Sequence, residues 1–204
     1  MTLEIVYFPA AGRAELLKLI AEYGGLEYKY TGVPRQDEWP KLKPNTRYGQ
    51  LPYLKVNDDV DIYQTIAIAR YLAQETKLYP EDRLKATLSE EYILAISDVL
   101  GKFFALSAIT DEEAKKEEVK KIVEGPLRVT FGSLNQTLEK NGGYLVGEIS
   151  WADFYLYEAL QFLESRVNVT QEIPQWPILK KNIEGIEKIK SFLESDRNLK
   201  RIKQ

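Results

Sequence analysis

The sequence predicts an α/β domain followed by an all-α domain. Three observations carry this: β-rich runs enclose an amphipathic helical segment up to about residue 76, every later segment has helical periodicity, and the stretch TKLYPEDR separates the two.

Residues 2–7, TLEIVY, mix β-branched and aromatic side chains and read as a strand, which FPAAG interrupts. Arg13 to Tyr23 reads as a helix with Leu16, Leu17, Leu19 and Ile20 on its apolar face, stopped by Gly24-Gly25 acting as a C-terminal cap. Glu27 to Thr31 then supplies a second strand and completes a β-α-β unit. The next stretch, GVPRQDEWPKLKPNTRYGQ, is too rich in Pro, Gly and charge for a long element; it accommodates a short helix at 35–42 and has the character of a functional loop. Tyr53 to Val56, the acidic turn Asn57-Asp58-Asp59, and Val60 to Tyr63 form a hairpin. A helix follows from about Thr65 to Glu75, with Ile66, Ile68, Ala69 and Leu72 apolar.

Beyond the linker, Leu84 to Ile109 predicts one long helix. Asp111 to Lys140 predicts a second, interrupted by Gly125-Pro126 and closed by Asn141-Gly142-Gly143. Further helices are expected at 152–166, 175–182 and 185–194. There is no internal repeat.

Composition limits the chemistry. With 44% hydrophobic and 29% charged residues over 204 positions, the profile is that of a globular protein. Lys+Arg number 28 against Asp+Glu 31, so the net charge of -3 provides no field for nucleic acid or an anionic membrane. No apolar run approaches the ~20 residues that span a bilayer, and the opening MTLEIVYFPAAGRAE lacks a signal-peptide pattern, so a cytoplasmic location is expected. Cys and His are both absent, which excludes disulfides, thiol nucleophiles, Ser-His triads and His/Cys metal sites. Catalysis must then rest on Tyr, Ser/Thr, carboxylates, Lys/Arg, backbone amides or a bound cofactor.

Tyr7 is the first candidate, because it ends the first strand just before a helix, where open α/β sheets tend to bind ligands. A phenol there could donate to an anion; equally, it is one of 13 tyrosines and could be a packing residue. Arg13 sets a cation in the first helical turn, against the helix dipole; it either pairs with a carboxylate such as Glu15 or raises the potential near Tyr7. Leu51-Pro52 marks a turn or sheet edge, or, with a cis bond, leaves the Leu51 backbone free to pair with an extended peptide. Gln64 and Thr65 open a helix, where they either cap it or hold a ligand carboxylate with the first-turn amides. Trp39 and Lys43 share a face if their segment is helical. Ser150-Trp151-Ala152-Asp153 reads as a structural N-cap rather than a catalytic group.

In order, YFPAAGRAELLKLI, DEWPKLKP, GQLPYLKV, YQTIAIARYL and GGYLVGEISWADFYLYEAL resemble the cytosolic glutathione transferases, and most closely their sigma class. The resemblance implies a thioredoxin-like, glutathione-binding domain at 1–77 (βαβ-α-ββα) and an all-helical domain at 84–204 that carries the electrophile site. It implies that Tyr7 bonds the glutathione sulfur and that Arg13, Trp39 and Lys43 shape and charge the site, the last two near the glycyl end. Gln50, Leu51 and Pro52 match the segment that pairs with the cysteinyl backbone, with Pro52 cis. Gln64 and Thr65 match the pair that holds the γ-glutamyl carboxylate, Thr65 standing where the family usually has Ser. Asp98 matches an acid that reaches the glutathione of the neighbouring subunit, although Gly101 and Lys102 replace further acids there. Phe103, Phe104 and Leu100, with Phe8 and Gly12, are the candidates for an apolar electrophile pocket, buried core aromatics being the competing account.

The activity so implied is conjugation of the glutathione thiolate to small hydrophobic electrophiles, in detoxification, by a cytoplasmic homodimer with glutathione as co-substrate and no metal. Sigma-type relatives also isomerise prostaglandin endoperoxides, but the tryptophan such isomerases carry has no counterpart in FFALSAIT. A non-catalytic, crystallin-like protein of the same fold would have no need of Tyr7, Arg13, Lys43, Gln64 and Thr65. A dithiol oxidoreductase is excluded by the lack of cysteine.

Overall fold

The computed structural model describes residues 1–57, 59–164 and 166–198. Asp58 of the expected hairpin turn, residue 165 within the expected helix at 152–166, and residues 199–204 of the expected helical domain lie outside them. Two compact units result: Met1–Tyr79 with the described residues from Glu184 onward, and Pro80–Ile183.

The first unit is a thioredoxin-like α/β fold. β1 (Leu3–Tyr7), α1 (Glu15–Gly24) and β2 (Lys29–Gly32) make the β-α-β unit; α2 (Trp39–Leu42) runs into a 3-10 turn at Lys43–Asn45; β3 (Tyr53–Val56), β4 (Val60–Tyr63) and α3 (Thr65–Glu75) follow. The sheet order is β2-β1-β3-β4, with β1 parallel to β2 and antiparallel to β3, and β3 antiparallel to β4. Because side chains alternate along a strand, Leu3, Ile5 and Tyr7 share one face, all buried, and Glu4 and Val6 the other.

α1 buries the apolar face its sequence predicts: Leu16, Leu17, Leu19 and Ile20 are at most 3% exposed. Each contributes about 1.5–3 kcal/mol by leaving water. The helix ends at Gly25, whose left-handed φ of 70° directs its N–H to the Ala21 and Glu22 carbonyls. Gly24 is needed for close approach, since a Cβ there would lie 2.1 Å from Thr76 Cγ2 at the end of α3. α1 begins two residues later than the sequence suggests; the turn before it remains non-helical.

The second unit is all-helical. α4 (Arg83–Ala105) starts at Asp82, whose carboxylate accepts the Lys85 N–H at 2.9 Å, and its expected continuation to Ile109 tightens instead into a 3-10 turn at Leu106–Ala108. α5 (Glu112–Ile122) and α6 (Arg128–Lys140) meet across a π turn at Val123–Leu127. Gly125 leaves helical geometry there, with φ -104° and ψ -106°, and Pro126 lacks a backbone donor, which accounts for the expected interruption. α7 (Trp151–Leu163), α8 (Val169–Glu172) and α9 (Trp176–Glu184) complete the unit. α7 is its core, with Trp151, Phe154, Leu156 and Leu160 at most 1% exposed and the Trp151 indole N–H donating to Ser89 Oγ of α4 at 2.8 Å. α8 was not expected: a single turn, VTQE, is too short to show periodicity, and its only mark is the Asn168 cap, which accepts the Gln171 N–H at 3.3 Å.

α10 (Glu187–Leu193) was expected with the helical domain, but by packing it belongs to the first unit. Ile189 and Phe192 are fully buried, α10 packs on α1, and Arg197 beyond it grips Glu22 of α1 at 2.6 and 3.0 Å. No helix among the described residues is long and apolar enough to cross a membrane.

Candidate functional site

Tyr7 closes β1 and is 8% exposed. The chain then turns back, and the Arg13 backbone N–H donates to Tyr7 Oη at 3.3 Å. That N–H belongs to the unwound turn ahead of α1, where Ala14 supplies no side-chain cap. The phenol oxygen is thus an acceptor toward the helix, and its own O–H has no partner among the described residues. Gly12 makes this possible: a Cβ there would stand 2.9 Å from Tyr7 Oη and 3.3 Å from Cε1.

Beside this turn is a cleft lined by Arg13, Tyr48, Gln50, Leu51, Pro52, Tyr63, Gln64 and Thr65. Six of these eight are residues the sequence singles out. The Leu51-Pro52 peptide is cis. Gln64 is the N-cap residue of α3 but makes no side-chain cap bond, so capping does not explain it. Its backbone is held at φ 71° and ψ 116°, a conformation that costs a non-glycine residue about 1–3 kcal/mol and that clusters at ligand sites. The cleft therefore joins one Arg, two amide side chains and the amino end of an 11-residue helix, a combination suited to a carboxylate. Glu15 meets Lys18 at 2.7 Å in the interior.

Trp39 and Lys43 are one turn apart, with the Lys43 N–H directed to the Trp39 carbonyl, so they share the expected face. Trp39 packs edge-on against Phe8 at 5.7 Å, and Phe8 is covered on a face by the Arg35 guanidinium at 4.0 Å. Lys43 runs alongside Gly49 and the loop into Gln50; its Cε lies 3.5 Å from where a Gly49 side chain would begin.

Four expected site residues lie on α4 in the second unit. Asp98 is exposed, Leu100 and Phe103 are buried at 8% and 4%, and Phe104 is 39% exposed. Phe104 meets Phe162 of α7 at 5.1 Å, and the Arg166 guanidinium stacks on Phe162 at 3.9 Å. Neither Phe162 nor Arg166 was singled out by sequence, nor were Tyr48 and Tyr63, which line the cleft and meet edge-on at 5.7 Å. The signal for the tyrosines was adjacency alone: one precedes GQLP and the other precedes Gln64.

Ser150 and Asp153 form the expected capping box. Asp153 accepts from the Leu145 N–H at 2.8 Å, the Ser150 N–H at 2.8 Å and the Ser150 hydroxyl at 2.9 Å. Full burial nonetheless pushes its carboxyl up to about 6, against the downward pull of these donors.

Residues 2–74 match the family model of the glutathione S-transferase N-terminal domain, and residues 97–196 that of the C-terminal domain. A glutathione S-transferase 2 from Manduca sexta is 31% identical over 93% of this chain and 94% of its own. A hematopoietic prostaglandin D synthase from Gallus gallus is 27% identical over 94% of each. Among solved structures, the prostaglandin synthase D of Nilaparvata lugens superposes with a TM-score of 0.88 at 26% identity, covering 96% of this chain and 98% of that one.

Proposed function

The chain belongs to the glutathione S-transferase family and is a glutathione transferase, and from that premise we propose that it conjugates the glutathione thiolate to small hydrophobic electrophiles, with Tyr7 as the catalytic residue. The observation that carries this reading is the Arg13 N–H bonded into Tyr7 Oη beside the Gln64-Thr65 cleft.

With its oxygen engaged by that N–H, the phenol donates its proton outward, to the sulfur. A hydrogen bond to a charged acceptor contributes about 1.5–3 kcal/mol, which lowers a thiol pKa by roughly one to two units from about 8.5. Much of the sulfur is then thiolate at neutral pH. The remaining assignments orient the tripeptide. Gln64, Thr65 and the first amides of α3 take the γ-glutamyl carboxylate, with Arg13 adding positive potential. Gln50, Leu51 and Pro52 present backbone to the cysteinyl residue, and Trp39 and Lys43 take the glycyl end. Fixing a preformed thiolate against its electrophile supplies the proximity term.

We assign the electrophile an apolar surface that includes Phe104 on α4, and we assign the protein to the sigma class, in the cytoplasm, as a homodimer in which Asp98 serves the other subunit's glutathione. The likeness to prostaglandin D synthases favours one second reading, glutathione-dependent isomerisation, and an assay with a prostaglandin endoperoxide separates the two.

Replacing Tyr7 by Phe tests the central claim. At neutral pH kcat should fall about 10- to 100-fold, the loss expected for one charge-assisted bond, while KM for glutathione stays within twofold or so. An unchanged kcat would reject Tyr7 as the group that holds the sulfur.

A further inference from the structure

Tyr30, in the middle of β2, is exploited by nothing in the reading above, yet it is the side chain that reaches into the turn joining Tyr7 to Arg13. Its pairing with Ile5 across β1 puts it on the buried face of the sheet, on the same side as Tyr7. From there the phenol donates to the Phe8 carbonyl, which also accepts the Ala10 N–H at 2.7 Å. The hydroxyl therefore grips the turn at the carbonyl that closes it.

The phenol is itself held from below. Lys18 and Glu15 of α1, 2% and 4% exposed, pair at 2.7 Å, and the Lys18 ammonium lies 5.3 Å from the centre of the Tyr30 ring and 5.4 Å from that of Phe192. A buried ammonium stacked between two rings is costly to move, so the ring above it has a fixed seat. Burial, and then the Glu15 carboxylate, hold the Tyr30 hydroxyl well above the usual tyrosine range, which keeps it a proton donor at every working pH.

We propose that Tyr30 is a positioning residue for catalysis: by clamping the Phe8 to Ala10 turn it fixes the Arg13 N–H against Tyr7 Oη and so aims the Tyr7 proton at the sulfur. The inference rests on the function proposed above. It makes a claim of its own, because a hydroxyl that never touches substrate then tunes the ionisation of the substrate's thiol. The Arg13 to Tyr7 bond is 3.3 Å long, near the limit for such a contact, so loosening the turn by a few tenths of an ångström removes it.

The experiment is the pH profile of kcat/KM from pH 5.5 to 9 for the parent, Tyr30→Phe, Tyr28→Phe and Tyr7→Phe. Tyr28 is the control: its hydroxyl donates to Glu22 at 2.9 Å and not to the turn, so the same atom is deleted without touching the clamp. Tyr30→Phe is expected to lower kcat/KM at pH 6.5 by about three- to tenfold, the range for one lost hydrogen bond. The deficit should close toward pH 9, where the thiol ionises unaided and the midpoint of the profile has moved up; KM for glutathione at saturating second substrate stays as in the parent. A purely structural lesion lowers the rate by one factor at all pH values, and that result, or a midpoint equal to that of Tyr28→Phe, overturns the proposal. If Tyr7→Phe moves the midpoint and Tyr30→Phe does not, this inference alone fails; if Tyr7→Phe leaves it in place, the proposed function fails with it.

Discussion

One methyl group tests how tightly the site is built. In Gly12→Ala the new Cβ would start 2.9 Å from Tyr7 Oη, and an ordinary contact is about 3.4 Å, so the phenol or the turn must yield by about 0.5 Å. Movement of Oη away from residue 12 also takes it from the neighbouring Arg13 N–H, stretching 3.3 Å toward 3.8 Å, past any hydrogen bond. The variant loses one neutral bond and misdirects a charge-assisted one, together about 1.5–3 kcal/mol, or roughly 10- to 100-fold in kcat/KM at pH 6.5. Steady-state rates with a model aryl halide measure it, and a double-mutant cycle identifies the cause. In Tyr7→Phe the clashing oxygen is gone and the next atom is 3.3 Å away, so adding Gly12→Ala to that background should cost less than twofold or so. Equal losses in both backgrounds would mean that the alanine acts through backbone strain rather than through the phenol. A Gly12→Ala rate within twofold of the parent would refute the geometry altogether.

The other expectations can be stated together. Gln64→Gly should raise stability by up to about 1–3 kcal/mol through released backbone strain, and at the same time weaken glutathione binding severalfold; denaturant unfolding and calorimetric titration read the two effects, and a variant with neither contradicts a strained ligand-holding residue. Asp153 has its folded pKa raised to about 6 from a reference of 3.8, so its contribution is full below the reference value and is lost as pH rises through 6. The stability of the parent relative to Asp153→Asn should therefore increase by about 2.4 kcal/mol from pH 7 to pH 4; a constant gap would show that the three donors keep the carboxylate charged.

The elements with strong periodicity were legible, and the errors fall where tertiary contacts decide. α1 and α3 announce themselves because one face of each is unbroken hydrocarbon and Gly25 can take the left-handed cap. α10 also reads as a helix, but whether Ile189 and Phe192 dock on α1 or elsewhere is a matter of complementarity between distant surfaces, which local pattern does not encode. The site divides the same way. Tyr7, Gln64 and Thr65 are visible because they sit at strand and helix ends, where backbone groups are left unpaired, whereas Gln50 is picked out by the family resemblance alone. Tyr30 is invisible, since in sequence it is one more aromatic in a strand, and only the parallel register with β1 brings it under the turn.

That register is in turn specified on the opposite face of the sheet. Across β2, β1, β3 and β4 the aligned residues Lys29, Glu4, Lys55 and Asp61 alternate in charge. Glu4 bonds the Thr31 hydroxyl and pairs with Lys29 at 2.9 Å; these partners, with Lys55 on the other flank, hold its carboxyl below the usual range. A slip of β1 by one residue would put Leu3 or Ile5 into this row and drive Glu4 into the core, an uncompensated charge costing several kcal/mol. The same slip would turn Tyr7 to the wrong face. Exposed pairs such as Lys29 with Glu4 contribute only about 0–1 kcal/mol to stability, so their effect lies in excluding the alternatives. The direction in which one phenol points is thus set by charges on the far side of the strand that carries it.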